Sequence, residues 1–190
     1  MRLLRFALPL LLLLGFAVEA QSPTYGVGRA PTQAEIDAWD IAVNPITGDE
    51  LPVGSGTADQ GSELFLSKGC AGCHGADGQG VLAPRLVKQD MPTPDDPWQW
   101  GRILPIRSPY APVVWDYINR GMPLGAEGTL LPDEVYALTA FLFFMNDIID
   151  DDQLVLNQDN LPKIEMPNRD NWAPLPDWPS KTPRLPGYPY

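Results

Sequence analysis

One five-residue stretch constrains this chain more than any other: Cys70-Ala71-Gly72-Cys73-His74. It reads C-x-x-C-H, the pattern of covalent haem attachment. Two thiols separated by two residues can add to the two vinyl groups of one haem. The next residue, His74, is then held under the iron as an axial ligand. The chain contains two cysteines and one histidine, and this stretch uses all three. A disulfide and a zinc site are the alternatives. Zinc takes four protein ligands, usually from two Cys/His pairs, and no second pair exists here. A thioredoxin-type redox pair would sit in a βαβ pattern, which the flanking sequence lacks. The expected cofactor is one covalent haem c with its iron.

A chain of 190 residues suggests one domain with extensions rather than two full domains. Its 22 prolines are about twice the average share, and many lie near the C-terminus. The formal charge of −11 argues against nucleic acid or anionic lipid as a partner. It favours a basic protein partner, although solubility alone would also account for it.

The N-terminus reads as an export signal over residues 1–20. Arg2 and Arg5 form a charged start, Phe6 to Phe16 an apolar stretch, and Val18-Glu19-Ala20 ends in small residues. An uncleaved membrane anchor is the alternative, but the run is short for a span of ~20 residues. Cleavage near Ala20 removes Arg2, Arg5 and Glu19, leaving 11 basic and 23 acidic side chains and a charge of −12. No later stretch is apolar enough to span a membrane. Export also fits the haem motif, because this attachment takes place outside the cytoplasmic membrane. The expected location is the periplasm.

Residues 21–57 read as an N-terminal arm over the surface of the next unit. Thr32-Gln33-Ala34-Glu35 is a capping-box pattern, with Thr32 as N-cap and Glu35 three residues on. It predicts a short helix that carries Ile36 and Trp39 onto the core. Turn residues follow at Asn44-Pro45, Thr47-Gly48, Leu51-Pro52 and Gly54-Ser55-Gly56. A helix is expected from Ala58 to Lys68, with Leu64 and Phe65 apolar and Gly61 four residues before Phe65. Glycine inside a helix costs up to ~1 kcal/mol relative to alanine, which close approach of another helix would justify.

Residues 89–110 read as a long, proline-rich loop. Pro112 to Asn119 reads as a second helix with Val114, Trp115 and Ile118 on one face, broken by Gly121-Met122-Pro123-Leu124-Gly125. A third helix starts at Pro132, where Asp133 and Glu134 favour the positive end of the helix dipole. Val135, Leu138, Phe141, Leu142 and Met145 give it helical spacing. The expected haem-binding domain covers 58–150. A proline-rich C-terminal extension covers 151–190, where prolines exclude long helices and central strands.

Electron transfer at a haem held by His74 calls for a sixth ligand. With no second histidine, methionine leads, and Met/His ligation raises the reduction potential. The candidates are Met91, Met122, Met145 and Met166. Met145 has core spacing, Met91 lies in a polar loop, and Met166 reaches the haem only if the tail folds back. Met122, between glycine and proline after a helix, is the expected ligand; the alternative is that it only packs against the haem edge.

These residues resemble class I cytochromes c. Gly61 and Phe65, the C-x-x-C-H motif, the Pro84/Leu86 spacing, Met122-Pro123 and Leu138/Phe141 all match. The resemblance implies an all-α class I cytochrome c fold, here with a loop-rich N-terminal arm and a proline-rich C-terminal extension. It implies that the first and last helices cross at Gly61 and Phe65 against Leu138 and Phe141. It implies that the Pro84 carbonyl receives the Nδ1 proton of His74 and that Leu86 packs on the haem face.

A narrower resemblance runs from about Tyr25 to Asn171. Gly28-Arg29-Ala30-Pro31-Thr32, Glu35-Ile36-Asp37-Ala38-Trp39-Asp40-Ile41, Leu51-Pro52-Val53-Gly54-Ser55-Gly56, Trp115-Asp116-Tyr117-Ile118-Asn119-Arg120 and Met166-Pro167-Asn168-Arg169 are similar to the cytochrome c subunits of molybdenum sulfite or sulfane dehydrogenases. Leu131 departs from the serine or threonine often found at that helix start, and residues 172–190 match no pattern of that family. The resemblance implies a carrier of single electrons from a molybdenum sulfite/sulfane dehydrogenase subunit to a downstream cytochrome c or oxidase, with no catalytic residue of its own. A free soluble shuttle and a five-coordinate haem sensor or enzyme are the alternatives.

Overall fold

The computed structural model describes residues 27–88 and 103–170. The export signal, Met91, the tryptophans of the 89–102 stretch and the tail beyond 170 lie outside the described residues. The chain divides into two compact units between Asp40 and Ile41.

In the first unit, helix α1 spans Gln33–Trp39. Thr32 caps it as the sequence predicts: its hydroxyl accepts from Glu35 N, and the Glu35 carboxylate accepts from Thr32 N at 2.8 Å. Arg29 pairs with the same carboxylate. That guanidinium, with the Thr32 backbone and hydroxyl, holds the Glu35 carboxyl down at about 2. The apolar residues do not follow expectation. No residue of α1 is buried, and Trp39 is 87% exposed.

In the second unit, strand β1 (Ser55–Gly56) leads into helix α2 (Ala58–Ser67) and a single helical turn, α3 (Cys70–His74). Helices α4 (Leu104–Arg107), α5 (Ala111–Gly121) and α6 (Pro132–Phe144) follow, then strand β2 (Leu156–Asn157) and a 3-10 turn at Leu161–Lys163. The two strands pair antiparallel, with Ser55 opposite Asn157 and Gly56 opposite Leu156. Apart from this one short ladder, the described elements are helical. Helix α4 falls inside the stretch read as a continuous loop. Proline in its first turn needs no N–H partner, and Pro105 and Ile106 are buried.

The close packing of α2 on α6 organises the core. A Cβ on Gly61 would lie 2.0 Å from the Ala137 carbonyl oxygen and 2.6 Å from the Phe141 Cβ. Only a residue without a side chain lets the two backbones come this near. The Phe65 and Phe141 rings then meet at 5.2 Å between centroids. Lys68 at the end of α2 pairs at 2.6 Å with Glu134 in the first turn of α6. Glu134 also accepts from Leu131 N at 3.0 Å, so it caps α6 although leucine stands at the N-cap.

Both flanks of the haem region join this core. On one side Tyr136 donates to the Pro52 carbonyl at 2.9 Å, and Ser55 N donates to the Asp133 carboxylate at 2.7 Å. On the other side Leu156, Leu161 and Met166 are buried in the same cluster as Trp115, Tyr136 and Phe143. The segment expected as an extension therefore contributes core residues at its start, because its apolar side chains fall between its turns.

Two expected outcomes follow from this packing. Gly61→Ala should destabilise the haem-loaded protein by about 1–3 kcal/mol or more, read from urea unfolding, since a methyl group cannot be placed without parting α2 from α6. Burial, and then the negative charge of Asp159, push the Tyr136 hydroxyl up to about 12. A free tyrosine ionises near 10. The neutral phenol therefore stabilises the fold fully below about pH 10, and that contribution is lost as pH rises toward about 12. Tyr136→Phe should remove this alkaline component; an unchanged melting profile between pH 9 and pH 12 would contradict it.

Candidate functional site

The haem motif follows directly from the end of α2. Lys68 closes that helix, and Gly69 adopts φ 80°, a left-handed conformation in which a side chain is strained. The chain thereby turns at once into α3. Residues three and four apart on a helix share a face. One turn of helix thus brings Cys70, Cys73 and His74 to one side. Cys70 is half-buried, Cys73 is exposed, and both thiols are free. Burial pushes the Cys70 thiol up from its ordinary range.

His74 is 8% exposed, and its Nδ1 lies 2.7 Å from the Pro84 carbonyl oxygen. A carbonyl can only accept, so Nδ1 carries the proton and Nε2 keeps its lone pair free for a metal. This is the orienting hydrogen bond that axial histidines generally carry. It stands where the resemblance places it, between His74 and Pro84.

The loop between these two residues is folded by its own backbone. Gly80 N donates to His74 O at 2.6 Å, and Leu82 N and Ala83 N both donate to Cys73 O at 2.9 Å. Leu86 N donates to Gly78 O at 2.8 Å. Gly80 sits at φ 85°, and a Cβ there would meet Arg85 N at 2.9 Å, so glycine is required at this bend.

Cys70, Ala71, Leu86 and Met122 all flank the apolar core, each partly buried. Met122 is the C-cap of α5, with its N–H on Ile118 O at 3.0 Å. Met145 is the C-cap of α6. Met166 is 3% exposed, inside the core cluster. Its segment does fold back, as its own candidacy required, with Asn168 donating to Arg107 O at 2.6 Å. Met91 lies outside the described residues.

Two thiols and one imidazole on a common face are the donor set that a covalent haem needs. Zinc is served poorly: among the described residues no group of three His, Cys, Asp or Glu side chains is placed to hold a metal ion. Sequence reasoning missed Asn146, which is 4% exposed and bonds the Leu86–Lys88 segment at two points. Nothing in its sequence context marks it, since an asparagine after a helix usually faces solvent.

A sequence model of the cytochrome c family matches residues 58–143. Among solved structures, the chain is similar to one in the sulfane dehydrogenase SoxCD from Paracoccus pantotrophus. The identity is 33%, the TM-score 0.65, and the match covers 87% of this chain and 82% of that one. A shorter stretch of 35 residues is 49% identical to the cbb3-type cytochrome c oxidase subunit CcoP of Helicobacter pylori. That stretch spans 18% of this chain and 12% of the curated relative.

The site makes one direct demand. Replacing both Cys70 and Cys73 by alanine should abolish haem staining on a denaturing gel and leave little cooperative unfolding, since a loop-rich chain of this size has limited apolar surface of its own. A stable haem-free protein with native helix content would contradict this.

Proposed function

Because the chain belongs to the class I c-type cytochromes, electron-transfer proteins that bind haem c covalently, we propose that it carries single electrons in the periplasm. The donor in this reading is a molybdenum sulfite or sulfane dehydrogenase, and the acceptor a downstream cytochrome c or oxidase. The observation that carries the choice of donor is the 33% identity to a chain of sulfane dehydrogenase SoxCD, because it extends over 87% of the sequence and not over the haem region alone. Among the described residues no helix is long and apolar enough to cross a membrane.

Haem iron supplies a one-electron ferric–ferrous couple when bound. The protein's residues do the rest. Cys70 and Cys73 fix the group covalently. His74 offers Nε2, with its ring held by the Pro84 carbonyl. Met122 would offer its thioether to the iron, a donor that favours the ferrous state and raises the potential. Leu86 and the core apolar side chains keep water away and lower the local dielectric. The net negative charge adds long-range steering toward a basic partner, an effect that weakens as salt rises.

Isolation of the native complex tests the reading. Iron and molybdenum should be found together, and the ferric haem should be reduced when sulfite or a sulfane-bearing substrate is added. A haem protein isolated without molybdenum, and unreactive with such a dehydrogenase, would leave a free electron shuttle. In the same protein Met122→Ala should abolish the near-infrared methionine–ferric haem band and lower the potential, while Met166→Ala leaves both nearly unchanged. The reverse pattern would move the ligand to the buried Met166.

A further inference from the structure

The C-terminus of α6 is built in a way that the haem motif alone does not require. Ile148 N donates to Phe143 O at 2.9 Å and Asp147 N to Phe144 O at 3.1 Å, with Asp147 at φ 54°. This is the paired bonding of a Schellman motif, with a non-glycine residue in the left-handed position. Asn146, between the Met145 C-cap and Asp147, is therefore held in place with its side chain turned inward at 4% exposure.

Its amide is fully directed. Asn146 Nδ2 donates to Leu142 O at 2.7 Å and to Leu86 O at 3.0 Å. Asn146 Oδ1 accepts from Lys88 N at 3.0 Å. The opposite amide orientation would set Oδ1 against two carbonyl oxygens and Nδ2 against an N–H, so the assignment is forced by its neighbours. One side chain thus reads the backbone of residues 86 and 88 as a paired strand would. The Lys88–Asp147 ion pair lies beside it, on a more exposed side.

The segment clamped in this way also contains Pro84, whose carbonyl orients His74. It is gripped from the opposite side by Gly78 O, which accepts from both Leu86 N and Val87 N. The Gly78 grip ties the segment only to the haem-motif loop itself. Among the described residues, Asn146 and the Lys88–Asp147 pair are its hydrogen-bonded and ionic ties to α6. We propose that Asn146 is a positioning residue for the axial histidine: it fixes the 84–88 segment against α6, and through it the direction and strength of the Pro84–His74 hydrogen bond. The chain thereby sets the basicity of its haem ligand from the far end of its last helix.

The sign follows from the chemistry. A good hydrogen bond from Nδ1–H to a carbonyl makes the imidazole more electron-donating, which favours ferric iron. Loosening the segment weakens that bond and favours ferrous iron. One hydrogen bond contributes about 0.5–1.5 kcal/mol net, which converts to an equilibrium shift of roughly two- to tenfold.

The test uses the haem-loaded full chain with Asn146→Leu, which removes every hydrogen bond of the amide without adding charge. The ferric–ferrous equilibrium should move about two- to tenfold toward ferrous, in line with one hydrogen bond's net contribution. The hyperfine-shifted haem methyl resonances of the ferric protein, which report imidazole orientation, should change their spread. Lys88→Gln, which removes the ion pair and keeps the amide clamp, should leave those resonances in place. A variant that only melts earlier, with potential and haem methyl shifts as in the wild type, would show a purely structural cap and overturn the proposal. Equal changes from Lys88→Gln would also overturn it, by assigning the effect to the ion pair. Should Asn146→Leu fail to fold, the smaller and still polar Asn146→Ser is read by the same two measurements and the same criteria.

Discussion

The contact of Gly61 with the Ala137 carbonyl is the constraint on which the second unit depends. It fixes one point common to α2 and α6. From that point α2 runs to Ser67, about 9 Å farther on, and delivers the haem motif. From the same point α6 runs to Phe144, about 10 Å farther on, and delivers Asn146. The loop that carries Pro84 is then closed on itself at Gly78 and tied to the end of α6 by Asn146. A crossing several residues away thus sets the surroundings of His74. A larger residue at position 61 would disturb all of these together, which is why a residue of poor helix propensity sits in the middle of α2.

Much of this was legible because each signal has a local cause. The capping box at Thr32 and Glu35 formed as read, since its hydrogen bonds need only residues three apart. Helices α2, α5 and α6 lie within two residues of their expected ends, because apolar spacing, Pro132 and the breaking glycines act locally. The His74–Pro84 bond lies where the resemblance implied. Other features depend on distant partners. Ile36 and Trp39 have helical spacing, and both are exposed. Helix α4 is too short to show periodicity. Asn146 has no sequence mark, because its partners Leu86 and Lys88 are about sixty residues away. Met166 looked peripheral only because its route back into the core is laid down by Leu156 and Leu161.

The choice of asparagine at 146 illustrates how buried polar groups are tolerated here. An unpaired buried amide would cost about 1–3 kcal/mol. Three backbone groups satisfy it instead, two acceptors and one donor. Aspartate, of the same shape, would keep the bond from Lys88 N but face two carbonyls with a negative charge. Leucine would fill the volume and leave three backbone groups without partners. The site therefore selects one residue type by geometry.

The segments flanking residues 58–143 are part of the same argument. That range covers α2 to α6, all but Phe144 at the end of α6, but not every group they pack against. Gly56 approaches Ala137 N so closely that a Cβ there would lie 2.4 Å away. Pro52 accepts from Tyr136, and Leu156, Leu161 and Met166 cover the same core. Without them, the Tyr136 hydroxyl and the outer face of α6 would meet water. Helix α6 is apolar nearly all round, and such a helix needs neighbours on every side. The elements packed on it are α2, α5 and the two strands β1 and β2. The likeness to the sulfane dehydrogenase chain extends over 87% of this sequence, well past the 58–143 range. A last helix this apolar carries its covering strands and turns with it.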